Sequence, residues 1–200
     1  ILEKVKKICN VPILTDIHLP SQAEAAAEVC DIIQIPAFLC RQTDLLIAAA
    51  QTNVWINIKK AQFMSPPEMV NVIKKLKKTG SEKIILTERG SSFGYNNLVA
   101  DMRSIPIMKQ FGCPVCFDAS HSVQLPGAQG TSSGGQREFI PTLAKAAVVS
   151  GADMLFIESH NDPDKALSDK YSVMPFQILE KLIAQTKALH ELISSWSPQC

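Results

Sequence analysis

The chain has 200 residues, enough for one domain with a sizeable core and too few for two of ordinary size. Twenty Lys and Arg against 19 Asp and Glu leave a formal charge of +1, which excludes a global field that gathers nucleic acid or an anionic membrane, so any phosphate must be held locally. With 46% hydrophobic and 20% charged residues and no apolar run of about 18 residues, the composition is that of a globular chain without a membrane-spanning helix.

The opening segment, ILEKVKKI, has no apolar stretch or cleavage site of a secretory signal and no initiator Met, and it reads as the tail of a helix. The chain is therefore expected to start inside a longer protein. Cysteines at positions 9, 30, 40, 113, 116 and 200 are dispersed, which argues against a disulfide scaffold and for a reduced, cytoplasmic protein. Cys113 and Cys116 have the C-x-x-C spacing but lead into an apolar run rather than opening a helix, so they read as two thiols at the start of a strand.

Strands are predicted at Pro12–Ile17, Asp31–Ile35, Val54–Ile58, Lys83–Thr87, Val115–Asp118 and Met154–Ile157. Each is short, apolar and rich in Ile, Val or Leu, as parallel strands buried on both faces must be. Helices are predicted between them. Ser65-Pro66-Pro67-Glu68 is a capping box with proline at the first helical position, Val72, Ile73 and Leu76 form the apolar face, and Gly80 is the stop. Lys74, Lys75, Lys77 and Lys78 read as its solvated face. A last helix is predicted from about Pro175 to Ile193, with Ile178, Leu182, Leu189 and Ile193 packing on the sheet.

Six strand–helix units in 200 residues give about 33 residues per unit, close to the roughly 250 residues that eight units fill in a TIM barrel. The expected fold is therefore a TIM (β/α)8 barrel with its six C-terminal units present, residues 1–200 forming one domain that lacks the first two units. A doubly wound sheet is disfavoured because no Gly-rich dinucleotide loop follows the first strand.

In such a barrel the chemistry lies at the carboxyl ends of the strands, and all six ends are polar here: Asp16 and His18; Gln34 and Arg41; Asn57, Lys59 and Lys60; Glu88 and Arg89; Asp118 and His121; Glu158 and His160. Lys59, Lys60, Arg89 and Arg41 are candidates to converge on anions, since Arg is a planar fork for phosphate or carboxylate and Lys a compact charge. His121, Glu158 and Asp169 are candidate ligands for a divalent metal of the Fe, Mn or Zn type. Three ligands leave room for a fourth, expected from the absent N-terminal region, because the last strand of a closed barrel adjoins the first. Ser132-Ser133-Gly134-Gly135 reads either as a phosphate-cradling loop ahead of a helix at Phe139–Val148 or as a mobile lid.

Five segments carry a further signal: PAFLCRQTDLL at 36–46, NIKKAQF at 57–63, TERGSSFGYNNLVADMRS at 87–104, FDASHSVQLPG at 117–127 and FIESHNDPDKALSD at 156–169. Together they closely resemble the 3-deoxy-D-manno-octulosonate 8-phosphate synthases, the 2-dehydro-3-deoxyphosphooctonate aldolase family, over essentially the whole chain. The resemblance implies a TIM-barrel homotetramer that condenses phosphoenolpyruvate with arabinose 5-phosphate on the route to lipopolysaccharide, with no organic cofactor and no nucleic-acid or membrane partner. It implies Lys59, Arg89 and Gln34 as the phosphoenolpyruvate site. Arg41 would reach the sugar phosphate across a subunit interface, and Asp16 and Pro36 would line the sugar's path. His121, Asp16 and Lys59 would be catalytic, and His121, Glu158 and Asp169 the metal ligands. Leu167-Ser168-Asp169-Lys170 looks like the metal-dependent branch, whose missing first strand would end in Cys. Two other readings stay open: a related synthase using erythrose 4-phosphate, and a catalytically inactive barrel fragment whose open strand edges make it associate.

Overall fold

The computed structural model describes residues 1–128 and 133–196. Helix α1 (Leu2–Cys9) leads into strand β1 (Leu14–Asp16), which is followed by α2 (Ala23–Ala27), β2 (Ile32–Ile35), α3 (Thr43–Gln51), β3 (Trp55–Lys59), α4 (Met69–Lys77), β4 (Ile84–Glu88), α5 (Ser104–Lys109), β5 (Val115–Asp118), α6 (Ile140–Val149), β6 (Met154–Phe156) and α7 (Phe176–Trp196). Among the described residues the six strands form one parallel sheet in chain order, curled like part of a barrel, with a helix in each crossover. All six predicted strands are present, with bounds that differ by at most two residues.

Parallel register and the two-residue side-chain period divide the sheet into two faces. Ile33 pairs with Ile56 and Ile56 with Ile84; Ile35 pairs with Ile58, Ile58 with Leu86 and Leu86 with Val115. These side chains are completely buried in one core with Leu45, Leu46, Met69, Val72, Leu76, Ile105 and Met108 of α3, α4 and α5. Each such aliphatic burial contributes about 1.5–3 kcal/mol, so this row anchors the strands and fixes their register.

The opposite face is apolar at its amino end, with Ile32, Trp55 and Ile85, and polar and internally bonded toward its carboxyl end. Thr87 Oγ1 donates to Asn57 Oδ1 at 2.5 Å, Asn57 Nδ2 to Gln34 Oε1 at 2.7 Å, and Gln34 Nε2 to Asp16 Oδ1 at 2.5 Å. This chain crosses four strands and satisfies polar groups that would otherwise be costly to bury.

The Ser65 capping box forms, with Ser65 N–H donating to Glu68 Oε2 at 2.7 Å, but Pro66–Glu68 is a 3-10 turn and α4 proper begins at Met69. Two consecutive prolines lack N–H donors, so the first turn closes through Glu68 N–H on Ser65 O. Lys74, Lys77 and Lys78 are exposed, whereas Lys75 donates to Arg41 O at 3.0 Å and Thr43 Oγ1 at 2.8 Å and so ties α4 to the start of α3. Helix α7 packs along α6. Its inward row is Leu179, Leu182 and Thr186, and Ile178 of the expected stripe is exposed.

Candidate active site

Beyond each strand the same alternation decides which side chains reach the polar face. Lys59 shares the parity of Asn57 and ion-pairs with Asp118 Oδ2 at 2.8 Å, its ammonium 4.0 Å from the centre of the Phe156 ring. Lys60 shares the parity of Ile58 and lies behind the sheet. Its ammonium is wholly buried against Glu88 Oε1 at 3.4 Å, Met64 O at 3.2 Å, Ala61 O at 3.3 Å and Ser91 Oγ at 3.1 Å. The expectation that Lys60 joins an anion-binding set is therefore corrected: it clips the loop after β3 to the loop after β4.

Glu88 completes that clip by accepting the Gly90 N–H at 2.7 Å, and Arg89 between them turns back to the polar face. Arg89 is 5% exposed. Its Nη2 donates to Gln124 Oε1 at 2.7 Å and its Nη1 has no partner. Burial pulls its pKa down, opposed by the negative charges of Asp118, Glu88 and Asp169. A buried guanidinium edge without an acceptor is a ready site for an anion.

Asp118 is fully buried at the end of β5. Burial alone would raise its pKa, but the hydrogen bond and charge of His121 and the ammonium of Lys59 outweigh it and hold the carboxyl at about 2. Asp118 accepts the His121 backbone N–H at 2.9 Å and lies 3.0 Å and 2.8 Å, through its two oxygens, from His121 Nδ1. In the neutral imidazole, an ionised acceptor there places the one ring proton on Nδ1 and leaves the Nε2 lone pair free.

That Nε2 lies 3.4 Å from Glu158 Oε1. His121, Glu158 and Asp169 each offer a ligand atom, all within 4.8 Å of one another. Burial raises the Glu158 pKa; His121 opposes the rise, and Asp169 and Asp118 add to it. Two carboxylates held this close beside an oriented imidazole lone pair fit a divalent cation, which relieves their repulsion. Gln124 Nε2 donates to Asp169 Oδ1, and the Ser120 hydroxyl accepts the Glu158 N–H at 2.8 Å.

One cavity of about 300 Å³ gathers these groups, lined by Asp16, Pro36, Lys59, Arg89, His121 and Asp169 together with Ala37, Phe38, Gln62, Gln124 and Ser133. Gln34 lies just behind, held between Asp16 and Asn57. A larger cavity of about 420 Å³ between β6 and α7 is mostly apolar and gathers no comparable set of charges.

Some candidate residues are not in the cluster. Arg41 is exposed and does not line the cavity. His18 is exposed, and His160 is occupied in accepting the Asp162 N–H through Nδ1 at 3.0 Å. Ser132 lies outside the described residues. Gly134 and Gly135 pair with Leu125 and Gln124 in a short antiparallel ladder, and α6 begins only at Ile140, so these glycines do not cap a helix. Cys113 and Cys116 are free and buried.

The sequence reading gives Asp118 no role and does not mention Gln62 or Gln124. The Asp118/His121 spacing spans one tight turn, and Gln124 is the extended residue that directly follows the 3-10 turn at His121–Val123. Those were the available signals.

A curled parallel α/β sheet with buried cations and a metal-compatible triad at its carboxyl edge is the arrangement of an enzyme that acts on anionic small molecules. The chain belongs to the DAHP synthetase I family, whose pattern it matches over residues 1–195. It is 58% identical over 193 residues to a 2-dehydro-3-deoxyphosphooctonate aldolase of Protochlamydia amoebophila, covering 96% of this chain and 70% of the relative. It is 57% identical over 193 residues to the protein of that name from Geobacter metallireducens, covering 96% and 71%. A third, from Nitratidesulfovibrio vulgaris, is 56% identical over 191 residues, covering 96% and 70%.

Proposed function

We propose that this chain performs the reaction of a 2-dehydro-3-deoxyphosphooctonate aldolase: phosphoenolpyruvate, arabinose 5-phosphate and water give 3-deoxy-D-manno-octulosonate 8-phosphate and phosphate, a cytoplasmic step towards lipopolysaccharide. The observation that carries this reading is that buried Arg89, whose Nη1 has no hydrogen-bond partner, lines one cavity with Lys59, His121 and Asp169, in a chain 55–58% identical to proteins of that name. The relatives' common name favours arabinose 5-phosphate over erythrose 4-phosphate.

In this reading Arg89 and Lys59, with Gln34 behind them, hold the phosphate and carboxylate of phosphoenolpyruvate. Carbon 3 attacks the sugar aldehyde while water adds at carbon 2, and one of the water's two protons goes to the former aldehyde oxygen. The carbon 2–oxygen bond to phosphate then breaks, and the hydroxyl proton leaves with the phosphate or to solvent. Asp16 and Pro36 line the sugar's approach. His121, its Nδ1 proton held by Asp118, presents a lone pair on Nε2, and with Glu158 and Asp169 it would hold the cation, which supplies Lewis acidity when bound. Holding both substrates in one cavity removes an entropic barrier that reaches about 7–11 kcal/mol in favourable intramolecular systems.

The barrel, the fourth ligand and the tetramer belong to the same proposal. The sheet would be six of eight strands of a single closed barrel, in keeping with a match that spans about 70% of the relatives, and a fourth metal ligand would come from the region before β1. Exposed Arg41 would serve the neighbouring subunit of a tetramer. The test is phosphate release by the full-length protein with each aldose phosphate. Strong preference for arabinose 5-phosphate is expected, and strong preference for erythrose 4-phosphate would overturn the assignment.

A further inference from the structure

Gln124 is buried and makes two side-chain hydrogen bonds, one to each half of the site: its Oε1 accepts from Arg89 Nη2 at 2.7 Å and its Nε2 donates to Asp169 Oδ1. A guanidinium has only donors and an ionised carboxylate only acceptors, so the amide has a single orientation that serves both. Arg89 comes from the end of β4 and Asp169 from the segment after β6, 80 residues apart in the chain; no main-chain element joins them directly.

A second observation ties the same strand to Asp169. Gln124 pairs with Gly135, and a β-carbon on Gly135 would stand 2.9 Å from the carbonyl carbon and oxygen of Tyr171. The bare Gly135 backbone therefore packs directly on the turn in which Asp169 has a left-handed φ of 52° and accepts the Ser172 N–H at 2.7 Å. The short ladder holds the Asp169 carboxylate from the side through Gln124 and its turn from below through Gly135.

We propose that Gln124 is a positioning residue that couples the anion-binding guanidinium of Arg89 to the cation-binding carboxylate of Asp169. This rests on the functional reading above. With Gln124 in place, the amide leaves Arg89 Nη1 as the free edge for substrate and fixes the rotamer of Asp169. Without it both groups lose their fixed direction together, although they belong to different binding partners.

The test measures two affinities separately in the full-length protein: Mn²⁺ by equilibrium dialysis and phosphoenolpyruvate by calorimetry, without the sugar phosphate. Gln124→Met keeps the length and removes both hydrogen bonds, and Gln124→Asn keeps the amide but is too short to span. Each is expected to weaken both affinities by about 10-fold or more, and using two variants covers the case in which one does not fold. Gly135→Ala, which presses on the Asp169 turn alone, is expected to weaken Mn²⁺ and leave phosphoenolpyruvate binding within about two-fold. Loss of only one affinity in the Gln124 variants, or of neither, overturns the coupling. A native enzyme that turns over both substrates and binds no Mn²⁺ overturns it too while the condensation stands, whereas a native enzyme that neither binds phosphoenolpyruvate nor turns over overturns the functional reading itself.

Discussion

Asp118 is completely buried and still ionised, because Lys59 and His121 each supply a donor to it. Asp118→Asn keeps the volume but removes the counter-charge of both, and we expect Mn²⁺ affinity to fall about 10- to 100-fold, read by equilibrium dialysis. Both neighbouring lysines pair with buried carboxylates, and only Lys59 also lines the cavity. Lys59→Met should abolish phosphoenolpyruvate binding and also lower stability, because it leaves Asp118 without that counter-charge. Lys60→Met leaves Glu88 buried without its counter-charge and should lower stability by about 3–5 kcal/mol, measured by urea unfolding. Cys116 gives the pH dependence at this scale. Burial, helped by Asp118, pushes its thiol up to about 12 from an ordinary value near 9. A folded-state pKa raised in this way contributes stability that is intact below pH 9 and is lost as the pH rises from about 9 towards 12. Cys116→Ala should therefore flatten the alkaline limb of the stability curve.

The loop after β4 turns on Gly90. Gly90 has a φ of +90° and gives its N–H to Glu88, and a β-carbon there would lie 3.4 Å from Leu98 Cβ. Gly90→Ala is expected to cost about 1–2 kcal/mol from the left-handed backbone alone. Because Gly90 follows Arg89 directly, the same substitution should raise the KM for phosphoenolpyruvate more than it lowers kcat, which steady-state kinetics will show. Elements also explain which parts of the site could be read early. Short Ile-, Val- and Leu-rich runs ending in charge are visible in one dimension, so the strand ends, and with them Lys59, Arg89, His121 and Glu158, were legible. The start of α4 was placed three residues too soon because two prolines shift the first turn to 3-10 geometry, and of the α7 stripe Leu182 is buried, Leu189 and Ile193 are half-buried and only Ile178 is exposed.

At the scale of the whole molecule, the described sheet has β1 and β6 as its outer strands, and unpaired strand edges invite association. The 200-residue stretch expressed alone is expected to form oligomers and to bind a hydrophobic dye, measured by size exclusion and fluorescence. A monomer with cooperative unfolding would contradict this. The curled sheet also brings six strand ends to one side, which is why residues from Asp16 to Asp169 share one cavity of about 300 Å³.

The sequence by itself determined the alternation of strands and helices, the polar strand ends and the family, because hydrophobic periodicity and long motifs are properties of neighbouring residues. Only the tertiary structure decided that Lys60 is a buried clip, that Asp118 orients His121, that Arg41 lies outside the cavity and that Gln124 joins Arg89 to Asp169. Those outcomes depend on which face a side chain takes and, for Lys60, Asp118 and Gln124, on partners 28 to 59 residues away, and such long-range contacts arise only when strands pair in register and burial selects the donors and acceptors that can satisfy one another.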